Sequence, residues 1–480
     1  MNAHATKRAF HRTLLLIVAD GVRHDVLRDE IARGNVPAIA ALCKRGGMHE
    51  VATCFPSVTG PGYIPFLTGR FPAEVGVPGL RWFDRARKVG LWPAYSRSYA
   101  GIDIWCLDWD LDKKIPTLFD RAKPSLAAMS MLGRGSRVNF GRSLRFMARI
   151  TRSHFQGNLD GWQTAERACL QQFLREFERN RPQFATLAVT SADKRAHKEG
   201  GESAGVRRAI LDMNDVVASA RAIAERGGWA DQLDIWMVSD HGHAPVSKHE
   251  DLHGWLEQRG LRVRAHPQIL QRTVDVALMV GGNAMAHIYL SPDGRSREFW
   301  PAFSGKWEAL HEALLQREAV DLLAVAQSAH IVRVSSRAGG VAEIRKTHGS
   351  GNSCWSYLPQ SGDPLELGSE MIALDSNAAF EACARTQYPD SIVQLSSLMG
   401  APRTGDIVIS AARDWDLRSR FEPVAHVSTH GALLREQMIV PLIIDRPVAR
   451  APQRTADVFP SALEVMGLPV PDGLNGRSFL

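Results

Sequence analysis

Acidic and histidine side chains recur just after short apolar runs in this sequence. Three runs are each followed within four residues by an aspartate, and the pairs are 13–19 with Asp20, 184–190 with Asp193 and 233–239 with Asp240. Two of these aspartates belong to histidine-containing segments, DKRAH and DHGH, which are expected to lie in loops at one edge of a sheet. Carboxylate oxygens and imidazole nitrogens suit zinc, with manganese or iron as alternatives. Any one of these residues alone would more often cap a helix or lie in a polar loop, and their recurrence is what indicates a metal site.

The runs that precede these aspartates read as buried strands. TLLLIVA, FATLAVT and LDIWMVS are continuously apolar and rich in branched side chains, as in strands covered on both faces. Helical patterns lie between them at 36–45, 161–180 and 206–228. This alternation predicts an α/β fold with a doubly wound, mostly parallel sheet flanked by helices. Ligands of such sheets bind beyond the carboxyl ends of the strands, where the aspartates fall.

The C-terminal residues return to the same pattern. MIVPLIID at 438–445 predicts another buried strand, and 455–468 predicts a helix that closes the domain. We therefore expect one catalytic core built from residues 10–245 and 420–480.

The intervening residues 246–419 are predicted to form an inserted α+β cap that sets substrate specificity. This stretch is punctuated by Gly and Pro, and it carries its own strand pattern at 286–290 and its own helix pattern at 307–327.

Composition limits the classes of protein and of ligand. With 45% hydrophobic and 23% charged residues the chain is expected to be ordered, and its net charge of +7 favours small phosphorylated or otherwise anionic substrates. Nothing in the sequence indicates a specific nucleic-acid partner or an oligomeric state. The six scattered cysteines predict reduced thiols.

The sequence gives no sign of a membrane anchor. The opening residues predict no signal peptide, and no apolar stretch reaches the roughly 18–20 residues of a membrane helix, so we expect a cytoplasmic protein. Residues 121–152 hold eight Lys or Arg and no acid. A solvated basic face explains them, and an entrance for an anionic or lipid-like substrate is the alternative.

Thr59 stands in a turn marked by Gly and Pro, within CFPSVTGPGYIPFLTG at 54–69. A hydroxyl and backbone amides at such a turn can face an anion. On its own, the segment would be read as a turn or a helix cap.

Taken together, these segments resemble the nucleotide pyrophosphatase/phosphodiesterase branch of the alkaline phosphatase superfamily. The resemblance rests on five separated motifs in the family's order, namely IVADGVR, FPSVTGP with LTGRFPAEVGV beyond it, DKRAH, SDHGH and STHG. The C-terminal segments LREQMIVPLIID and LPVPDGLNGRSFL also resemble the family pattern.

The resemblance implies a metal-dependent phosphohydrolase with two divalent metal ions, zinc by preference. It implies one metal held by Asp20, Thr59, Asp240 and His241, and a second held by Asp193, His197 and His430. Thr59 is then the nucleophile that forms a phosphothreonine, which water hydrolyses. His430 is preferred over His330, His348 and His426 because the family's following segment comes after it. His243 is either a support behind the ligands or an ordinary loop histidine.

One departure from the family concerns the phosphate. Many members carry an Asn whose amide holds a phosphate oxygen, and Leu80 occupies the matching position here. Arg81 is the predicted substitute as a substrate-binding residue, with Lys194, Arg195 and Lys198 as alternatives. Phosphodiesterase activity is therefore weighed against phosphomonoesterase or phosphonate hydrolase activity, and against a metal-binding relative without turnover. A sulfatase is disfavoured because no Cys/Ser-x-Pro/Ala-x-Arg context surrounds Thr59.

Overall fold

The computed structural model describes residues 12–86, 96–268, 274–292, 294, 296–348, 353–422 and 424–480. The opening residues 1–11, on which the prediction of no signal peptide rests in part, lie outside these ranges. No helix within them combines the length and the apolar composition that crossing a membrane requires.

A seven-stranded sheet forms the centre of the catalytic part. Its strands lie in the order Met48–Ala52, Ile439–Ile443, Leu233–Val238, Thr13–Ala19, Phe184–Val189, Ser125–Ala128 and Asn139–Phe140. Within this sheet, Ile439–Ile443 runs against the other strands. The predicted α/β fold with a mostly parallel sheet is therefore confirmed.

The central strand Thr13–Ala19 shows why the sheet is covered on both faces. Alternate side chains of a strand point to opposite faces, and here both sets are fully buried. Leu14, Leu16 and Val18 join one apolar core. Leu15, Ile17 and Ala19 join the other.

Helices supply the partners for these two faces. One core includes side chains of His24–Ala32, Pro37–Gly46, Leu159–Asn180 and Ala204–Arg226. The other core includes side chains of Tyr63–Thr68, Leu118–Arg121 and Val458–Val465. The predicted helices of the core are thus present with small shifts at their ends.

A second sheet of nine strands occupies most of the predicted cap. Its order is Val263–Ala265, Val276–Gly281, Met285–Leu290, Ile407–Ala411, Val320–Ala326, Ile331–Ser336, Gly340–His348, Ser353–Gly362 and Met371–Leu374. All of its neighbouring pairs are antiparallel except the first. The domain boundaries near residues 245 and 420 stay a prediction.

The prediction of one helix over residues 307–327 is wrong in its second half. A helix spans Trp300–Leu315, and Val320–Ala326 is a strand of the second sheet. The apolar run VDLLAVA is buried between two partner strands, so long-range pairing overrides the helical pattern that precedes it.

The remaining elements are short or lie near the site. Further helices span Cys106–Asp110, Leu144–Phe155, Ser191–Glu199, Leu252–Gln258, Ser376–Cys383, Ser391–Gly400 and Arg435–Met438. The strand Ala244–His249 pairs with Asp414–Asp416 and Ser428–Thr429, and Arg81–Phe83 pairs with Ser96–Ser98. All six cysteines are free thiols.

Candidate metal centre

The ends of three parallel strands bring the predicted ligands to one edge of the main sheet. Asp20 directly follows the strand Thr13–Ala19, and Asp240 and His241 follow Leu233–Val238. All three side chains are buried, with exposed fractions of 2% or less. The prediction from the apolar runs was therefore correct about where these residues meet.

Asp193 and His197 lie on a helix, which corrects the expectation that they occupy a loop. The strand Phe184–Val189 is followed at once by the helix Ser191–Glu199. Residues four apart lie on the same face of a helix. The side chains of Asp193 and His197 accordingly meet, with 3.2 Å between Oδ1 and Nε2.

Asp193 Oδ1 is the centre of one group of imidazoles. The Nε2 atoms of three histidines surround it at 3.0, 3.2 and 3.6 Å, and they belong to His243, His197 and His430 respectively. His430 comes from the loop after Ser428–Thr429, more than two hundred residues further along the chain. The structure thus brings His430 together with Asp193 and His197, and their role as ligands of one metal ion stays a prediction.

Asp20, Asp240 and His241 form a second group beside the first. His241 Nε2 lies 3.6 Å from Asp20 Oδ1 and 3.6 Å from Asp240 Oδ2. Thr59 Oγ1 lies 2.9 Å from the same nitrogen. The rings of His241 and His430 stack with centroids 3.6 Å apart, so the two groups are in direct contact through these rings.

Hydrogen bonds at the far side of three rings determine which nitrogen carries the proton. The Nδ1 atoms of His197, His241 and His430 lie 2.9–3.0 Å from the backbone carbonyls of Ser428, Gly242 and Ser57. A carbonyl only accepts, so each Nδ1–H donates and each neutral ring presents a bare Nε2. These bare nitrogens face carboxylate oxygens, and two acceptors at such distances need a proton or a metal cation between them.

The carboxylates show the same deficit. Among the described residues, Asp20 Oδ1 and Asp240 Oδ2 are buried without a hydrogen-bond partner. Burial, reinforced by Asp193, raises the pKa of Asp240 to about 8. Burial and the charge of Asp240 likewise raise the pKa of Asp20. A buried carboxylate without a counter-charge is costly, and a bound cation removes that cost.

Two sets of donor atoms lie close enough together to hold a metal ion, namely Asp193 with His241, His243 and His430, and Asp20 with Asp240 and His241. Tetrahedral ligands about 2.0–2.1 Å from zinc stand roughly 3.3–3.4 Å from each other. The separations from Asp193 Oδ1 to His197 and His430 bracket this spacing, and those from His241 to Asp20 and Asp240 lie slightly above it. The separation of 3.0 Å between Asp193 and His243 is instead the length of a hydrogen bond.

Thr59 differs from the other hydroxyls near the site. The hydroxyls of Thr53, Ser57 and Ser428 donate to the backbone carbonyls of Asp240, Ala432 and Ala244. Thr59 Oγ1 instead faces the bare Nε2 of His241, and its side chain is partly exposed. Thr59 is therefore the hydroxyl that an incoming anion and the metal ligands both reach.

Close packing fixes the turn that carries Thr59. Gly60 has φ +93°, and a Cβ on Gly62 would lie 2.8 Å from the backbone oxygen of Asp240. A side chain at either position would strain the turn or push it away from the metal ligands. The glycines that flank Thr59 thus hold its hydroxyl against His241.

Leu80 lies next to this turn, as the family resemblance implied. It is 6% exposed, and a Cβ on Gly60 would lie 3.9 Å from its Cδ1. Its side chain offers no hydrogen-bond donor at the place where the family's amide is expected.

Arg81 is directed elsewhere. Its guanidinium donates to the carbonyl of Val280 and to Ser98, and it lines a cavity together with His266 and Arg418. Burial and the nearby Arg418 lower the pKa of Arg81 to about 9. The contacts of Arg81 with the described residues do not include the predicted metal ligands, and its role in substrate binding stays a prediction.

The alternative cations differ in how they are held. Lys194 Nζ lies 3.0 Å from Asp193 Oδ2, and its side chain is 31% exposed. Arg195 is buried in ion pairs with Asp160 and Glu199, and Lys198 donates to the carbonyl of Gly157. Of these three, Lys194 is the one that a ligand at the site can meet.

Two contributions to the site go beyond the predicted metal ligands. His243 Nε2 lies 3.0 Å from Asp193 Oδ1, although fifty residues separate them. The turn at Gly282 hydrogen-bonds both ends of His430, through His430 N–H to Gly282 O and Ala284 N–H to His430 O. The sequence left His243 between a support behind the ligands and an ordinary loop histidine, and its contact with Asp193 agrees with the first. No local signal in the sequence indicates the contact of Gly282 with His430.

Comparison with known proteins gives the family and the fold. Residues 14–433 match the family described as Type I phosphodiesterase / nucleotide pyrophosphatase. The human ectonucleotide pyrophosphatase/phosphodiesterase family member 7 is 25% identical over 304 residues, which are 62% of this chain and 60% of the relative. The chain thus spans about three fifths of the length of this curated relative.

Solved structures resemble the chain over nearly its full length. Murine ectonucleotide pyrophosphatase/phosphodiesterase 5, solved as an inactive variant in complex with AMP, matches with a TM-score of 0.56 and 14% identity, covering 97% of each chain. Phosphonoacetate hydrolase from Sinorhizobium meliloti 1021, in complex with phosphonoformate, matches with a TM-score of 0.53 and 16% identity. That match covers 95% of this chain and 96% of the hydrolase, and at such identities both matches show the fold alone.

The fold and the site together define an α/β protein with a buried Asp/His centre beside a partly exposed threonine. The family match extends over most of the sequence. The chain belongs to the Type I phosphodiesterase / nucleotide pyrophosphatase family.

Proposed function

We propose that the chain is a metal-dependent phosphohydrolase in which Thr59 attacks phosphorus. The observation that carries this proposal is the position of Thr59 Oγ1, 2.9 Å from His241 Nε2 at the edge of both groups of ligands. Membership of the family supports hydrolysis of phosphate esters.

Each of the two groups of ligands would hold one metal ion. Asp20, Asp240, His241 and Thr59 would hold one ion, and Asp193, His197 and His430 would hold the other. Zinc is the preferred ion, with manganese or iron as alternatives. When bound, the metals would lower the pKa of the Thr59 hydroxyl and neutralise charge on the phosphoryl oxygens.

The chain's own residues then position the reaction. The turn at Gly60 and Gly62 aims the Thr59 oxygen at phosphorus, and attack gives a phosphothreonine as the leaving group departs on the opposite side. Water hydrolyses this ester in a second displacement, so the configuration at phosphorus is retained overall. The imidazoles of His197 and His430, fixed through their Nδ1 atoms, keep their geometry through both steps.

His243→Ala is expected to weaken the second metal site. The hydrogen bond from His243 orients the carboxylate of Asp193, and loss of such a partner typically lowers metal affinity about 10–100-fold. The affinity is measured by titrating chelator-treated protein with zinc in a calorimeter. His426→Ala is the matched control, because its ring also lies beside His197 but contacts Asn283 and Glu422. Equal zinc affinity in the two variants would contradict the role of His243.

The substrate is a small phosphorylated molecule, and Leu80 decides which kind is favoured. A phosphodiesterase that lacks an amide donor at this position loses stabilisation of a phosphoryl oxygen, which typically costs about a hundredfold in rate. The nearest cation, Lys194, carries a full charge that would suit the dianion of a monoester or a phosphonate. The family match keeps a phosphodiesterase as the first proposal, and the missing amide makes a phosphomonoesterase or phosphonate hydrolase the second.

A panel of matched aryl monoesters, diesters, phosphonates and sulfates tests these proposals. We expect turnover of at least one phosphorus ester by zinc-loaded protein. We further expect Leu80→Asn to raise the ratio of diester to monoester kcat/KM about tenfold or more, because the new amide reaches a phosphoryl oxygen. Leu80→Met fills similar volume without a donor and serves as the control. An unchanged ratio in Leu80→Asn would place Leu80 away from the phosphate, and no turnover of any ester would favour a non-catalytic metal-binding relative.

A further inference from the structure

The surface helix Leu144–Phe155 lies beside the metal centre and exposes large apolar side chains. Ser143 caps the helix by accepting from the backbone N–H of Phe146. Ile150 and Ser153 are buried against the protein. Leu144 and Phe155 are 77% and 68% exposed, so they point away from the core.

The exposed side of this helix is divided into two stripes. At 100° per residue, Leu144, Ala148 and Phe155 fall within about 40° of each other on the helix surface. Three arginines, Arg145, Arg149 and Arg152, form the neighbouring stripe, and all three are exposed. The helix thus has a buried face, an apolar face toward solvent and a cationic face.

The charge of this region is uncompensated. Residues 121–159 contain eight Lys or Arg and no Asp or Glu. Two of these, Arg134 and Arg142, are used inside the protein, where they hydrogen-bond backbone carbonyls and Asp108. Within the described ranges, no carboxylate lies within ion-pair distance of the three arginines on the helix. They are therefore available to an anionic partner.

A third exposed apolar residue adjoins the start of the helix. The ion pair of Arg142 with Asp108 joins the helix Cys106–Asp110 to the segment that leads into Leu144–Phe155. Trp109, on that helix, is 56% exposed. Trp, Phe and Leu next to arginine are the composition of segments that lie in the boundary between lipid headgroups and acyl chains.

The end of the helix meets the segment that carries the metal ligands. Lys198 donates to the carbonyl of Gly157, two residues beyond Phe155, and Lys198 directly follows His197. A surface on which this helix lies would therefore be close to the metal centre.

We propose that the helix Leu144–Phe155 docks the protein on an anionic phospholipid membrane. Leu144, Phe155 and Trp109 enter the boundary between headgroups and acyl chains, and the three arginines contact lipid phosphates. A nucleic acid would pair with the arginines but leave Leu144 and Phe155 in water. A lipid surface offers both a charged layer for the arginines and an apolar layer for these two side chains. The binding does not depend on turnover, so it can be measured whether or not the proposed function holds.

Sedimentation of the full chain with vesicles tests the proposal. We expect binding to phosphatidylcholine vesicles that contain 30% phosphatidylserine, and at least tenfold weaker binding to phosphatidylcholine alone. Each basic residue near an anionic surface contributes about fivefold to partitioning, so replacing all three arginines by Gln should weaken binding about a hundredfold. Leu144→Ser with Phe155→Ser should weaken it at least tenfold.

A matched control separates docking through this helix from non-specific hydrophobic adsorption to vesicles. Ile372 and Val470 are also exposed, at 60% and 45%, and lie outside the helix. Ile372→Ser with Val470→Ser should leave vesicle binding unchanged, and every variant should keep its Tm and its rate on a soluble substrate.

Three outcomes would overturn the proposal. They are absence of sedimentation with phosphatidylserine vesicles, equal loss in the control variant, and undiminished binding after Leu144→Ser with Phe155→Ser. Binding of single-stranded RNA that needs the arginines but not Leu144 and Phe155, with weak vesicle binding, would instead assign the surface to nucleic acid.

Discussion

Thr59→Ala is expected to lower kcat about a thousandfold or more while the protein keeps its metal. The threonine oxygen is the proposed nucleophile, and an alanine cannot form the covalent intermediate. The proposed metal ligands that remain are buried carboxylates and imidazoles held by their own hydrogen bonds, so the group around Asp193 is untouched. The group of Asp20, Asp240 and His241 loses the oxygen ligand that Thr59 supplies. The measurement is kcat on the best ester of the panel together with elemental analysis of the same sample.

Two control variants make the result specific to the hydroxyl of Thr59. Thr59→Ser keeps the oxygen, and its kcat should stay within about tenfold of the native value. Ser57→Ala removes a neighbouring hydroxyl that donates to the carbonyl of Ala432, and it should keep most of the activity. A Thr59→Ala protein with near-native kcat would show that another group attacks phosphorus.

The sequence predicted the edge of the sheet because the signals there are local. Thr13–Ala19, Phe184–Val189 and Leu233–Val238 are apolar without interruption, and strands of this kind are buried wherever they lie in a parallel sheet. The residues that follow them must then share one edge. Asp20 and Asp240 could be placed together for this reason, without knowledge of any side-chain contact.

The contacts that fix the histidines could not be predicted in the same way. The Nδ1 atom of His430 bonds the carbonyl of Ser57, and that of His197 bonds the carbonyl of Ser428. Each contact joins segments more than two hundred residues apart, and each depends on a loop rather than on a periodic pattern. The family resemblance named these histidines as expected ligands, and the structure supplies the reason why their Nε2 atoms face inward.

The second sheet was the least predictable part of the chain. The strand Val320–Ala326 follows a helical pattern so closely that the two merge in the sequence, and its partners lie at Ile331–Ser336 and Ile407–Ala411. Only pairing with both neighbours separates the strand from the helix. This sheet also reaches the site, since the turn at Gly282 binds His430 on both sides of its backbone.

Removal of the metals is expected to abolish turnover and to destabilise the protein, more so as the pH rises. Without a cation, the carboxyl group of Asp240 has a pKa of about 8, because burial and the charge of Asp193 disfavour its ionised form. An acid whose pKa is raised on folding contributes stability at low pH and loses it as the pH rises through the folded value. The free energy of unfolding of the metal-free protein should therefore fall by roughly 1 kcal/mol between pH 7 and pH 9.

The histidines do not cancel this effect in that window. Burial lowers the pKa of His241 to about 4 and that of His243 to about 3. An imidazole whose pKa is depressed on folding loses stability as the pH falls below its unfolded value near 6.5, and above pH 7 its contribution is constant. Buried cysteines add a decline of the same sign near pH 9, because burial raises the pKa of their thiols. The part of the change that belongs to Asp240 is the difference between the native protein and Asp240→Asn.

Zinc should reverse this fall in stability with pH, because a bound cation favours the ionised carboxylates. Metal affinity also rises as the ligands lose their protons. The measurement is Tm at pH 7, 8 and 9 for protein treated with chelator and for the same protein reloaded with zinc. Asp240→Asn keeps the shape of the side chain and removes its titration, so the chelated variant should show a flatter Tm profile than the chelated native protein. A metal-free native protein whose Tm is constant or rises over this range would contradict the assignment, since it would mean that the buried carboxylates are balanced without a cation.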